Sequence, residues 1–262
     1  MPKLGFILIC LIKTTQVFAY RLNTSNGASF GNSKIKFYVT SNSTCNNAGV
    51  DQNELLSITK EAVKKYWNTV STSEIELKSG GIFQTSDSLF LTGELCPEQD
   101  GSTCGANNVP YVSKLLIACN SESSVNFPSD DFIAISAPTR LAGSRIRGSV
   151  ILINDTATSP FANLSRAERV SVMAHEIGHA VGLGHSNKTE ALMYFENADK
   201  ITRLSQDDRD GISYLYPVSV DNCNGIFGGT SESGPGPFLP HFFTGLMLGF
   251  FFWRRNKRIL KS

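Results

Sequence analysis

Histidine is nearly missing from this chain: four occur among 262 residues, and tryptophan occurs twice. A charge of one sign is missing too, since 24 Lys and Arg stand against 23 Asp and Glu for a formal net charge of +1. With no basic stripe, nucleic acid is not an expected partner. Uninterrupted apolar stretches of the ~20 residues that span a bilayer are also lacking. The two longest greasy runs, at 4–12 and 238–253, both fall short of that length and lie near the ends. An ordinary soluble domain with a single core is what remains for the middle of the chain.

Against that scarcity, three of the four histidines fall in eleven residues: His175-Glu176-Ile177-Gly178-His179-Ala180-Val181-Gly182-Leu183-Gly184-His185. Residues four apart on an α-helix share a face one turn apart, so His175 and His179 can grip one ion together. Continuing the helix would carry His185 roughly 120° off that face, so the chain has to turn between His179 and His185. Gly182 is placed for that turn, because glycine accepts the left-handed conformation that ends helices. Several neutral imidazoles converging on one point, with a position left open, is what a catalytic zinc requires. Glu176 follows the first ligand directly and is the expected general base. Zinc lowers the pKa of water from about 15.7 toward 7, and a carboxylate beside it takes the proton. The predicted chemistry is peptide hydrolysis. A binding or adhesion protein that keeps zinc only as structure is the competing reading, and the intact Glu176 counts against it.

These residues resemble the metzincins, whose extended motif is His-Glu-x-x-His-x-x-Gly-x-x-His followed by a methionine turn. Ser186 after the third histidine is similar to the matrixin branch, and Ala191-Leu192-Met193-Tyr194 looks like the matrixin Met-turn. The resemblance implies that Met193 is an apolar floor beneath the metal rather than a ligand. Residues 204–216 resemble the helix that closes matrixin catalytic domains, and Asp207 or Asp208 would brace the Met-turn from below. Phe195-Glu196-Asn197 departs from the family after the turn, so the specificity pocket cannot be carried over. The remaining histidine, His241, lies in the tail, so one zinc is expected; calcium is left undecided. No cysteine-switch segment is visible ahead of the first strand.

The ends bear on where the chemistry happens. Lys3 precedes the apolar run 4–12, and Ala19 with Val17 two positions earlier forms a signal-peptidase site before Tyr20. Residues 1–19 are therefore expected to be a secretory signal. Residues 218–237, with Gly228-Gly229 and Gly234-Pro235-Gly236-Pro237, read as a flexible linker. The apolar run 238–253 then meets Arg254-Arg255-Asn256-Lys257-Arg258, an order that argues for a C-terminal membrane anchor at 238–262 with its basic end in the cytoplasm. As a helix this run spans about 24 Å against a ~30 Å hydrocarbon core, so it is marginal for spanning. It also resembles the sorting tails of some bacterial exported proteins. The expected location is extracellular or at the cell surface.

Cysteine usage agrees with export. Cys10 leaves with the signal, and Cys45, Cys96, Cys104 and Cys119 allow two bridges in three connectivities. Cys96 with Cys104 and Cys45 with Cys119 is the favoured set, which leaves Cys223 odd.

Residues 20–217 are expected to form the protease domain. Alternation over 34–40 predicts a strand, and the apolar spacing over 53–70 predicts a helix with one buried face. Shorter strands are expected at 74–78, 132–136 and 149–153. Ser165-Arg166-Ala167-Glu168 is a capping box that starts the histidine helix. The stretch 84–130 shows little periodicity and reads as an elaborated surface loop system. The fold class is α+β: a twisted, mostly parallel sheet of about five strands with two long helices, and a small C-terminal subdomain holding the Met-turn and closing helix. An edge strand near 140–151 is expected to align an extended protein or peptide substrate by β-augmentation. The chain is expected to act as a monomer.

Overall fold

A computed structural model describes residues 20–218 apart from 25–26, 97–103 and 197. The chain divides into two units, Met1–Ser219 and Val220–Ser262, and the structure described belongs to the first. The proposed signal at 1–19, the linker from 219 onward, the tail at 238–262, and Cys10, Cys223 and His241 lie outside the described residues.

Six strands form one sheet: β1 (Ser29–Phe30), β2 (Lys34–Thr40), β3 (Glu76–Phe83), β4 (Leu115–Asn120), β5 (Ala134–Ala142) and β6 (Arg145–Asn154). The order is β1-β6-β4-β2-β3, every pairing on that path is parallel, and β5 joins β6 antiparallel. The expected α+β class with a mostly parallel sheet stands, with one short strand more than expected. Four helices accompany the sheet: α1 (Gln52–Lys65), the short α2 (Leu89–Thr92), α3 (Arg166–Ala180) and α4 (Gln206–Leu215).

Local chemistry accounts for the long elements. On β2, Ile35, Phe37 and Val39 are buried while Lys34 and Lys36 stay exposed, the period-two signature of a strand. Helix α1 starts where the Asp51 side chain accepts from the Glu54 N–H, and it buries Leu55, Ile58, Ala62 and Val63. It ends earlier than its apolar spacing implies. Trp67–Thr69 tightens into a 3-10 turn, which places the Trp67 indole N–H 2.8 Å from the Ala174 carbonyl of α3. One core thus ties α1, α3 and one side of the sheet together.

The stretch 84–130 differs from the expectation of surface loops. It contains β4, which lies between β2 and β6 with all six residues buried. A central strand of a parallel sheet is covered on both faces, so it reads as a continuous apolar run without alternation. Leu115, Ile117 and Cys119 join the helix-side core, whereas Leu116 and Ala118 face a second cluster with Phe90, Val109 and Phe127. Residues from this stretch therefore cover the far side of the sheet.

The disulfides Cys45–Cys119 and Cys96–Cys104 are both formed. The edge strand falls earlier than 140–151: β6 is paired along both edges, and among the described residues β5 pairs β6 alone. Among the described residues β3 also pairs on one side only, at the far end of the sheet, and the free edge beside α3 is that of β5.

Because Cys45–Cys119 closes a loop of 74 residues and Cys96–Cys104 one of 8, replacing the first pair by alanine should lower unfolding free energy by about 3–4 kcal/mol, and replacing the second by less. Urea unfolding of the two double variants checks both the size and the ranking.

Candidate active site

Helix α3 is set by its start. Ser165 accepts from the Glu168 N–H while Glu168 accepts from the Ser165 N–H, a reciprocal capping box. From Val170 to Ala180 every residue is buried, because the helix packs against α1, against strands β5 and β6, and against the turn Ala198–Lys200. His175 and His179 stand one turn apart on its face. The helix stops at Val181, and Gly182 adopts φ +116°. A Cβ there would lie 2.3 Å from the Ala28 carbonyl oxygen, so glycine is demanded by both backbone and space. The turn continues through Leu183, whose N–H returns to the Gly178 carbonyl, and brings in His185.

One ring nitrogen from each of His175, His179 and His185 falls within 4.8 Å of the others. Their tautomers follow from their neighbours. His175 Nδ1 lies 2.6 Å from the Leu192 carbonyl oxygen, and His179 Nδ1 lies 2.8 Å from that of Leu183. A carbonyl can only accept, so each Nδ1 carries hydrogen and each Nε2 presents a lone pair. Those two Nε2 atoms are 3.0 Å apart. Two lone pairs at that distance need a cation or a proton between them. A proton is disfavoured: burial holds His175 down to about 4 and His179 well below the usual histidine value, and His185 is lowered for the same reason. Three neutral imidazoles with converging acceptors fit zinc in both donor type and protonation state.

Glu176 points into the same cleft and is buried. Burial lifts its carboxyl to about 7, opposed by a hydrogen bond from Ser136. A dication nearby would pull that value down again. The cleft has a volume of about 620 Å³, and its walls include Ile133, Ala134 at the start of β5, Val172 of α3, and the exposed Phe195.

The Met-turn is fastened at several points. The Ser186 N–H donates to the Met193 carbonyl at 2.7 Å, and Tyr194 N–H to that of Ala191 at 3.1 Å. Asp208 accepts from the Leu192 and Met193 N–H groups at 2.8 and 3.0 Å, as well as from Ser205. The neighbouring carboxylates divide the work, since Asp207 Oδ2 accepts from Ser186 Oγ at 2.6 Å, directly after His185. Asp208 thus fixes Leu192, whose carbonyl fixes the tautomer of His175. Met193 packs beneath the helix: a Cβ on Gly178 would lie 2.3 Å from its sulfur and 2.9 Å from Trp67.

Two residues at the site carry no spacing signal in sequence. Ser136, on β5, bonds to Glu176. Tyr216 donates to the Val181 carbonyl at 2.8 Å and accepts from the Phe30 N–H at 3.0 Å, tying the end of α3 to β1; burial raises its phenol.

A helix carrying two histidines and a glutamate, a glycine turn delivering a third histidine, and a methionine turn underneath together present the donor set that a metallopeptidase of the metzincin class would need. The family model described as Matrixin matches residues 112–217. The chain is 43% identical over 65 residues to metalloendoproteinase 5-MMP of Arabidopsis thaliana, covering 24% of this chain and 17% of that protein. It is 40% identical over 100 residues to matrix metalloproteinase-18 of Xenopus laevis, covering 36% and 20%. With stromelysin-2 of Rattus norvegicus it shares 53% over 49 residues, covering 17% and 10%. Residues 112–217 therefore match the matrixin family, and the chain matches a fifth or less of the length of each of these relatives.

Two outcomes follow from this geometry. Gly178→Ala should destabilise the domain by about 1–3 kcal/mol, read by urea unfolding, with zinc affinity falling in the same variant because Met193 must move. In chelated protein, folded His175 titrates near 4 and unfolded histidine near 6.5. His179 and His185 are lowered as well, and with His175 they outweigh the opposing Glu176, so the unfolded state binds more protons and stability should fall as pH drops from about 6.5 toward 4. Thermal unfolding across that range, with and without zinc, checks the sign and its relief by metal.

Proposed function

We propose that the chain is an exported zinc endopeptidase, with residues 20–217 as its protease domain. The observation that carries the reading is the pair of buried, neutral histidines presenting Nε2 lone pairs 3.0 Å apart, with Glu176 in the same cleft. His175, His179 and His185 would hold one zinc. When bound, zinc supplies Lewis acidity, which lowers the pKa of water and polarises a peptide carbonyl.

The chain's own residues do the rest. The free edge of β5 offers backbone groups to an extended peptide, adding it as a strand so that one bond lies over the cleft. The Glu176 carboxylate accepts a proton from the attacking water and returns it to the nitrogen of the departing amine. The apolar walls at Ile133, Ala134, Val172 and Phe195 exclude water and receive a substrate side chain. Met193 and Gly178 set the floor, and Asp207 and Asp208 hold the loop that carries it.

Export is supported by the apolar run at 4–12 ahead of Ala19 and by the two disulfides, which persist in oxidising compartments. Surface tethering rests on the apolar and basic order of 238–262. Among the described residues no helix is long and apolar enough to cross a membrane.

With a mixed peptide library, the wild-type chain should cut internal bonds and chelation should stop it. Glu176→Ala should lose at least about 10³-fold in kcat/KM while keeping zinc. Cleavage by a zinc-loaded Glu176→Ala at the wild-type rate would remove the base assignment.

A further inference from the structure

Ser136 is the third residue of β5, opposite Ile151 of β6, and lines the cleft. Along β5 side chains alternate: Ala134 packs on the helix-side core and Ile135 on the far cluster, so Ser136 faces α3. Its Oγ is 2.6 Å from Glu176 Oε2 and 2.9 Å from the Glu176 backbone oxygen. A hydroxyl has one hydrogen, and the shorter contact is the charge-assisted one. Among the described residues no other group donates to the Glu176 carboxylate. Among the described residues, Ser136 is thus the donor that orients this buried carboxylate.

We propose that Ser136 is a positioning residue that holds one oxygen of the Glu176 carboxylate, leaving Oε1 for proton transfer. The proposal rests on Glu176 being the base. Its consequence is geometric: the strand whose free edge would align the peptide also fixes the group that moves the proton. Substrate register and base position are then set by one segment of backbone, and a small displacement of the base relative to the scissile bond is costly in rate.

The test uses the full zinc-loaded chain and a peptide cut by wild type. Ser136→Ala should lower kcat by about ten-fold with KM within about two-fold, and zinc stoichiometry and thermal midpoint should stay close to wild type. Ser136→Thr, which keeps the hydroxyl, should recover most of the loss. In a Glu176→Ala background, Ser136→Ala should have no further effect on residual turnover. An unchanged kcat in Ser136→Ala, equal loss in the alanine and threonine variants, or a ten-fold loss that persists without Glu176 would each overturn the proposal. If Glu176→Ala abolishes cleavage while Ser136→Ala cuts normally, only the role of Ser136 falls. If Glu176→Ala cuts normally, the base assignment falls and takes the positioning role with it.

Discussion

Two hydrogen bonds to backbone carbonyls decide the character of the site. Leu192 and Leu183 each take the Nδ1 hydrogen of a histidine, which forces both Nε2 lone pairs toward one point. Without a cation that arrangement is repulsive, and the surrounding apolar core denies it a proton. A dication held by His175, His179 and His185 would satisfy those lone pairs without a proton. Much of the architecture serves to keep those carbonyls where they are.

Leu183 is held by the Gly182 turn, which only glycine can make against the Ala28 carbonyl. Leu192 is held from below by Asp208, itself anchored at the start of α4 by Ser205. Trp67 links α1 to the histidine helix beside Met193, so the first long helix also supports the floor. A site assembled from elements this far apart in sequence depends on one continuous core, and the Cys45–Cys119 bridge closes that core between the connection from β2 to α1 and the central strand.

What could be read from sequence divides along physical lines. The histidine helix, its capping box, the glycine turn and the closing helix were legible because each is local: a spacing, a cap or a backbone conformation encoded within a few residues. Both disulfides were legible because a short loop and one remaining pair limited the choices. Strand β4 was not, since burial on both faces erases the alternation that marks a strand. The edge strand was expected too late, at 140–151, a range that runs from the end of β5 into β6, because strand signals in a sequence come without their neighbours. Ser136 and Tyr216 were invisible for a related reason. A lone hydroxyl acquires meaning only from the group it meets, and those partners lie 40 and 35 residues away. Asp207 and Asp208 were recognised together, but their division between Ser186 and the Met-turn needed coordinates.

X-ray absorption at the zinc edge of the zinc-loaded full chain tests the central claim most directly, because it reports the ligand set without requiring a substrate. The account predicts one zinc whose protein ligands are three imidazoles, with oxygen completing the shell and no sulfur. A shell containing thiolate sulfur or a carboxylate in place of an imidazole, or a zinc signal that survives His179→Ala unchanged, would contradict it.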